Sequence, residues 1–115
     1  MMKPLEGIKV VEIGTYVAVP STARVLGDWG ADVIKIEMLT GDHWRNNGKN
    51  VRLPIRPDCN PIFAKDNSGK RFLSMNLKSE EGKALIKKLI AEADPAEIVR
   101  VNITTDRGDI VPIRE

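Results

Sequence analysis

Cysteine and histidine are nearly absent from this sequence of 115 residues, which holds one of each, Cys59 and His43. A single cysteine excludes an internal disulfide and any metal site made of several cysteines, so we expect an unpaired loop thiol. His43 has no second histidine and no serine or cysteine motif around it, so a solvent-exposed loop residue is expected instead of a catalytic dyad. The sequence therefore indicates no metal site and no catalytic histidine or cysteine.

Long apolar runs and blocks of like charge are also missing. No apolar stretch reaches the roughly 18 residues that a membrane span needs, and the first residues lack the apolar core of a signal peptide. Eighteen Lys and Arg against sixteen Asp and Glu leave a formal charge of +2, and the basic residues are spread along the chain. We therefore expect no membrane partner, no nucleic-acid partner and a cytoplasmic location.

The composition that remains is that of one soluble domain, with 42% hydrophobic and 30% charged residues. Residues 8–13 form a short apolar run before Gly14, which predicts a buried, central parallel strand. Residues 20–29 have helical spacing and end at Gly30, and residues 32–37 alternate polar and apolar side chains, which predicts a second, half-exposed strand. Strand, helix and strand make a βαβ unit, so the predicted fold class is α/β with a mainly parallel sheet.

Further elements are predicted downstream of a long Gly- and Pro-containing loop at residues 38–63. Residues 72–77 favour a third strand, and Ser79 is a good N-cap for a helix. That helix carries one apolar stripe, made of Leu85, Ile86, Leu89, Ile90 and Ala93. Residues 98–103 favour a fourth strand, and residues 106–109 a turn before 110–113.

Phosphate-binding features are weak when each is taken alone. The turn after the first strand has one glycine, Gly14, where a dinucleotide motif needs three, so NAD(P) binding is disfavoured and a purely structural βα turn remains open. Four basic residues bracket the third strand and either bind phosphate or form a solvated face. They are Lys65, Lys70, Arg71 and Lys78.

Taken in order, several sequence blocks resemble the opening of family III CoA-transferases, a family that includes formyl-CoA and carnitine CoA-transferases. The blocks are PLEGIKVVE at 4–12, VAVP at 17–20, LGDWGADVIKIE at 26–37, Gly41-Asp42 with Arg45, and NSGKR at 67–71 with LK at 77–78 and EG at 81–82. The wording around Trp29 is most similar to the subgroup that acts on (R)-2-hydroxyacyl or phenyllactyl thioesters. The resemblance covers roughly residues 3–94.

The resemblance implies a Rossmann-like large domain and two chains interlocked as a homodimer. Its substrates would be a coenzyme A thioester and a carboxylic acid, with no permanently bound cofactor. By position, Val17 and Ala18 match residues beside the adenine nucleotide, Met75 a residue packing near it, and Lys78 a basic residue that reaches the coenzyme. Met38 stands where the family often has an arginine, so one phosphate contact is expected to be missing.

The family's nucleophile is an aspartate that attacks the thioester and passes through an aspartyl-CoA intermediate. No aspartate of this chain matches it, so no catalytic residue is assigned. Residues 1–94 are expected to be the N-terminal part of the large domain, and residues 95–115 a divergent tail that begins at Pro95. We expect a CoA-transferase fragment that is inactive alone, the alternatives being a free-standing module that binds coenzyme A or another nucleotide, and a non-functional remnant.

Overall fold

A computed structural model describes residues 2–48, 52–56 and 58–93, and the backbone of two short strands beyond them. The elements are β1 (Lys9–Ile13), α1 (Ala18–Asp28), β2 (Asp32–Glu37), a 3₁₀ turn (His43–Asn46), α2 (Pro61–Asn67), β3 (Arg71–Ser74), α3 (Glu80–Glu92), β4 (Ile103–Thr104) and β5 (Ile110–Val111). This order of strands and helices confirms the predicted α/β class. The other residues of the predicted fourth strand and the turn at 106–109 lie outside the described residues.

The first three strands form one parallel sheet in the order β1-β2-β3. Val10 lies opposite Val33, and Ile36 lies opposite both Ile13 and Leu73. The adjacent parallel pairing of β1 and β2 confirms the predicted βαβ unit. The central position predicted for the first strand is wrong for the described sheet, because β2 has a partner on both sides and β1 has one. β4 and β5 pair antiparallel with each other.

The two faces of the sheet bury different helices, because successive side chains of a strand point to opposite sides. Val10 and Val33 pack with Ala23 and Leu26 of α1. On the other face, Ile13, Ile36 and Met75 form a second core, against which Ile86 and Leu89 of α3 pack. The chain therefore crosses from one face of the sheet to the other between α1 and α3.

Helix ends follow the local sequence signals. The hydroxyl of Ser79 accepts a hydrogen bond from Gly82 N at 3.0 Å, which confirms the predicted N-cap of α3.

The prediction of a long loop at residues 38–63 is wrong at its end, because α2 begins at Pro61. Asn60 caps this helix by accepting bonds from Ile62 N and Phe63 N, and Pro61 suits a first turn because its missing N–H is not needed there.

Among the described residues, no helix has the length and apolar character that crossing a membrane requires. Within the same residues, no group of three or more His, Cys, Asp and Glu side chains is arranged to hold a metal ion.

Candidate functional site

The carboxyl ends of the three parallel strands meet at one edge of the sheet, and ligands of open α/β sheets bind outside such an edge. β1 ends at Ile13, β2 at Glu37 and β3 at Ser74. The ends of β2 and β3 are tied together, because Met75 N donates to Glu37 O at 3.0 Å and Ser74 Oγ donates to Met38 O at 3.0 Å. This edge is the candidate site, which we call the carboxyl edge.

The turn that joins β1 to α1 lies on the carboxyl edge and has a constrained shape. Tyr16 has φ = 64°, a left-handed conformation that residues other than glycine seldom adopt. A Cβ added to Gly14 would lie 2.6 Å from Val19 Cβ, so the close approach of the turn to α1 needs glycine. The N-terminus of α1 has no side-chain cap and no acidic residue in its first turn. Its backbone N–H groups and its positive dipole end are available to an anion.

The four predicted coenzyme residues are distributed around this edge. Val17 and Ala18 are exposed at the start of α1, and Lys78 is exposed in the segment between β3 and α3. Met75 is different, because its side chain is only 6% exposed and packs in the core with Ile13 and Ile36. Its position supports the edge from beneath and offers little surface to a ligand. The role of these four residues stays a prediction.

Beneath the carboxyl edge lies a network of buried charges that the sequence patterns did not predict. Lys35 Nζ lies 2.9 Å from Glu12 Oε1 and 3.0 Å from Asp42 Oδ2, and it donates to Gly14 O at 3.1 Å. Lys70 Nζ lies 2.7 Å from Glu12 Oε2 and donates to Pro20 O. The Lys35–Asp42 and Lys70–Glu12 contacts are ion pairs between fully buried side chains. We call these four side chains, Glu12, Lys35, Asp42 and Lys70, the buried charge cluster.

The buried charge cluster corrects two expectations. The strand at 32–37 is not half exposed, because Lys35 is fully buried and Glu37 is 7% exposed. Lys70 neither joins a solvated face nor reaches a phosphate, since its ammonium is held by Glu12, Asn67 and a carbonyl. Burial lowers the pKa of Lys70, although the adjacent Glu12 carboxylate acts in the opposite direction.

Asp42 connects the buried charge cluster to the turn after β1. Its Oδ1 accepts hydrogen bonds from Trp44 N at 2.9 Å and from Tyr16 N at 3.3 Å. Its backbone N donates to Glu37 Oε2 at 2.8 Å. Burial tends to raise the pKa of Glu37, but the hydrogen bonds from Arg45 and from the Asp42 backbone outweigh it and lower that pKa.

Arg45 covers the buried Glu37 carboxylate from the solvent side. Its guanidinium forms a two-point contact with the Glu37 carboxylate and lies 4.0 Å from the ring centre of Phe63 and 5.2 Å from that of Phe72. The pKa of Arg45 is raised, above all by its hydrogen bond to Glu37. Arg45 therefore links three elements: it binds Glu37 of β2 and lies against Phe63 of α2 and Phe72 of β3.

Other candidate residues have simple surroundings. His43 and Cys59 are exposed, and Cys59 is a free thiol, as predicted. A cleft of about 270 Å³ opens beside α2, and none of the four predicted coenzyme residues lines it. Its lining consists of Arg45, Asp58, Cys59, Asn60, Pro61, Phe63 and Ala64.

A polar residue inside an apolar strand was the signal that could have revealed the buried charge cluster. Glu12 interrupts the apolar run of β1, and Lys35 occupies a corresponding place in β2. A carboxylate and an ammonium at matching positions of neighbouring strands are expected to pair when that face is covered. Asp42 and Lys70 lie in a loop and at a strand start, where sequence spacing carries no comparable signal.

Comparisons with known proteins agree with this fold and with the sequence blocks. The sequence-family model described as CoA-transferase family III matches residues 5–106 of this chain. The (R)-2-hydroxy-4-methylpentanoate CoA-transferase of Clostridioides difficile is 48% identical over 90 residues, which cover 78% of this chain and 23% of that protein. The cinnamoyl-CoA:phenyllactate CoA-transferase of Clostridium sporogenes is 38% identical over 88 residues, covering 76% of this chain and 21% of that protein.

Among solved structures, a CAIB/BAIF family protein from Brucella suis superposes with a TM-score of 0.71 at 36% identity, covering 82% of this chain and 25% of that chain. The resemblance derived from the sequence blocks is therefore confirmed. The family match extends past Asp94, where the resemblance was expected to end, and the division into 1–94 and 95–115 stays a prediction. The chain spans between a fifth and a quarter of the length of these three proteins.

Proposed function

We propose, from the premise that this chain belongs to CoA-transferase family III, that its carboxyl edge forms part of a coenzyme A site. The observation that carries the proposal is the position of Val17, Ala18 and Lys78. These exposed residues follow β1 and β3, whose carboxyl ends lie on one edge, beside the uncapped N-terminus of α1. The alternatives, a free-standing module that binds coenzyme A or another nucleotide and a non-functional remnant, are not favoured.

The chemistry of coenzyme A suits these groups. The coenzyme carries a pyrophosphate and a ribose phosphate, and phosphates are stabilised by helix N-termini and by ammonium groups. Lys78 supplies the ammonium, and the start of α1 supplies backbone N–H groups. Buried Met75 contributes by fixing the segment that leads to Lys78, since its side chain packs against Ile13 and Ile36.

The reaction served by this site is CoA transfer between a thioester and a carboxylic acid, without a permanently bound cofactor. The names of the two relatives, which specify 2-hydroxy-4-methylpentanoate and phenyllactate, support a 2-hydroxy acid as the substrate class. By the same family resemblance, we propose a cytoplasmic protein that functions as an interlocked homodimer.

We further propose that the chain alone does not carry out transfer, because none of its described aspartates suits the family's nucleophilic role. Asp42 is on the carboxyl edge, but its carboxylate is buried against Lys35. Asp66 is buried and accepts a hydrogen bond from Ser21. The remaining three belong to exposed ion pairs: Asp28, Asp32 and Asp58.

Titration of the purified chain with coenzyme A, followed by calorimetry and by NMR shift mapping, tests the site. A partial site offers few contacts, and association costs at least about 4 kcal/mol, so we expect a Kd in the high micromolar range or weaker. Lys78→Ala should weaken binding by at least about tenfold, because a hydrogen bond to a charged group contributes about 1.5–3 kcal/mol.

Lys88→Ala is the matched control, since Lys88 is an exposed lysine further along α3. This variant should bind coenzyme A as the parent chain does. Shifts confined to residues away from 15–19 and 75–78, or equal losses in the two lysine variants, would reject the site. Transfer by the purified chain, with trace full-length enzyme removed, would reject the proposed inactivity.

A further inference from the structure

Asp42 makes contacts in three directions from a fully buried position. One oxygen, Oδ1, accepts hydrogen bonds from the backbone N–H groups of Tyr16 and Trp44, at 3.3 and 2.9 Å. The other, Oδ2, lies 3.0 Å from the ammonium of Lys35, and neither side chain of this pair is exposed. A buried carboxylate with contacts on both oxygens is fixed in position and cannot turn to serve as a nucleophile or base.

The backbone group that Asp42 holds belongs to the most constrained residue of the carboxyl edge. Tyr16 is left-handed, with φ = 64°, and such residues persist only where their surroundings enforce the conformation. Two contacts do so here. The N–H of Tyr16 donates to Asp42, and its ring meets the ring of Trp44 edge-on, with 5.6 Å between centroids. Both contacts come from the segment that follows β2.

Lys35 holds the same turn from its other side. Its ammonium donates to Gly14 O at 3.1 Å and pairs with Asp42, which in turn binds Tyr16 N. One buried ammonium therefore fixes, directly or through Asp42, the residues on either side of Thr15. The turn is attached to β2 and its following segment at two points before α1 begins.

We propose that Asp42, backed by Lys35, is a positioning residue that holds the β1–α1 turn in the shape in which the start of α1 faces the coenzyme. The inference rests on the proposed coenzyme A site for its functional meaning. It assigns to Asp42 no contact with the ligand. The residue acts through the Tyr16 backbone, and Tyr16 precedes the predicted coenzyme residues Val17 and Ala18.

The first test measures hydrogen exchange of the Tyr16 amide, which requires no ligand. In the unmodified chain this amide should be protected although the tyrosine side chain is 48% exposed. Asp42→Asn should raise its exchange rate at least about tenfold. The asparagine has one acceptor oxygen for two opposing sets of donors, Lys35 on one side and the backbone N–H groups on the other.

Asp66→Asn is the matched control, because Asp66 is also buried and contacts α1 through Ser21, but it does not touch the turn. This variant should leave the Tyr16 exchange rate within about twofold of the parent value. An unprotected Tyr16 amide in the parent, or equal acceleration in the two variants, would overturn the proposal. If Asp42→Asn does not fold, the parent measurement still decides against or in favour of the contact.

The second test measures whether the shape of the β1–α1 turn affects the affinity for coenzyme A. Asp42→Asn should weaken coenzyme A binding at least about fivefold, and Tyr16→Gly added to it should recover most of that loss, because glycine adopts positive φ without strain. Tyr16→Gly alone sets the reference for the lost ring. A coenzyme affinity unaffected by Asp42→Asn, or a loss that glycine does not recover, contradicts the positioning role.

Failure of the parent chain to bind coenzyme A has a separate meaning. That result rejects the proposed coenzyme site and, with it, the functional part of the inference. Tyr16 exchange then still decides whether Asp42 holds the turn, so the two failures are distinguishable.

Discussion

Glu12 and Lys35 are register partners in the parallel sheet, and their side chains also form an ion pair. They lie opposite each other in the register of β1 and β2, and Lys35 Nζ lies 2.9 Å from Glu12 Oε1. Lys70 and Asp42 complete a cluster of two ammonium and two carboxylate groups, all buried. Because the charges balance, the sheet can bury them beneath the carboxyl edge, but the removal of any one leaves an uncompensated charge.

Lys35→Met should lower the free energy of unfolding by about 3–5 kcal/mol, because Asp42 and Glu12 both lose their shared ammonium partner. A domain of this size has about 5–15 kcal/mol of stability in total, so the loss is a large fraction of it. Adding Asp42→Asn to Lys35→Met should recover at least about 1 kcal/mol, since Glu12 keeps Lys70 as a partner and Asp42 is the carboxylate left without an ammonium. Urea unfolding followed by circular dichroism measures both changes.

Lys83→Met provides the matched control for that prediction. Lys83 pairs with Glu80 on the exposed face of α3, at 2.9 Å. Exposed pairs contribute little, so the unfolding midpoint should not change measurably. Equal midpoints for Lys35→Met and the parent chain would show that the buried charge cluster does not stabilise the fold.

The regular elements of this fold were largely predictable from the sequence. The apolar run of β1 and the apolar stripe with Ser79 of α3 predicted structure because such patterns follow from which face is buried, although Leu85 of that stripe is 44% exposed. α2 was not predicted because the segment before it combines glycines, prolines and scattered charges with no steady period. The pair Asn60-Pro61 was a usable signal there, since it combines an N-cap with a favourable first residue.

The candidate site was predictable only in part. Val17, Ala18 and Lys78 were assigned from family blocks, and the exposure of all three is compatible with that assignment. The buried charge cluster was not predicted, because the alternation of polar and apolar residues in β2 was interpreted as one face exposed to solvent. Period-two alternation shows that two faces differ, but it does not show whether the polar face meets water or another set of charges.

Two helical glycines should respond to alanine in opposite directions. Gly27 lies in α1, where an added Cβ would make an ordinary 3.5 Å contact with Val33, so Gly27→Ala should stabilise the chain by about 0.5–1 kcal/mol. Gly82 lies in the first turn of α3, where an added Cβ would meet Asn76 O at 2.0 Å. Gly82→Ala should destabilise by at least about 1 kcal/mol.

Thermal unfolding of the two glycine variants checks the pair. Stabilisation by both substitutions would mean that the approach of residue 76 to the start of α3 is looser than the 2.0 Å distance to Asn76 O indicates. Destabilisation by both would mean that the Gly27 position is tighter than its 3.5 Å clearance indicates.

Arg45→Lys should destabilise the chain more than Arg71→Lys does. Both arginines form two-point contacts with a carboxylate, Glu37 for Arg45 and Asp32 for Arg71. The Arg45 partner is buried and its guanidinium lies on Phe63, so lysine loses both the fork and the ring contact, at about 1 kcal/mol. Arg71 and Asp32 are exposed, and the change there should be about 0.5 kcal/mol or less. Urea unfolding of both variants tests the order, and a larger loss at Arg71 would contradict it.

Glu37→Gln should change the pH dependence of stability in a defined direction. The folded-state pKa of Glu37 lies below its ordinary value of about 4.5, because hydrogen bonds from Arg45 and the Asp42 backbone outweigh the opposing effect of burial. A carboxyl group with a lowered pKa contributes stability that is complete above its unfolded-state value and is lost as the pH falls through its folded-state value. The parent should therefore be more stable than Glu37→Gln by about 2 kcal/mol at pH 7.

That difference should stay constant down to about pH 5 and shrink as the solution is acidified through and below pH 4.5, the ordinary value for this group. Urea unfolding of both chains at a series of pH values between about 3 and 7 measures it. Glu92→Gln is the control, because Glu92 is exposed near the end of α3, and it should change stability by less than about 0.5 kcal/mol at every pH. A difference between parent and Glu37→Gln that widens in acid would mean that the Glu37 carboxyl is more easily protonated in the folded chain than in the unfolded one, which the contacts from Arg45 and Asp42 do not allow.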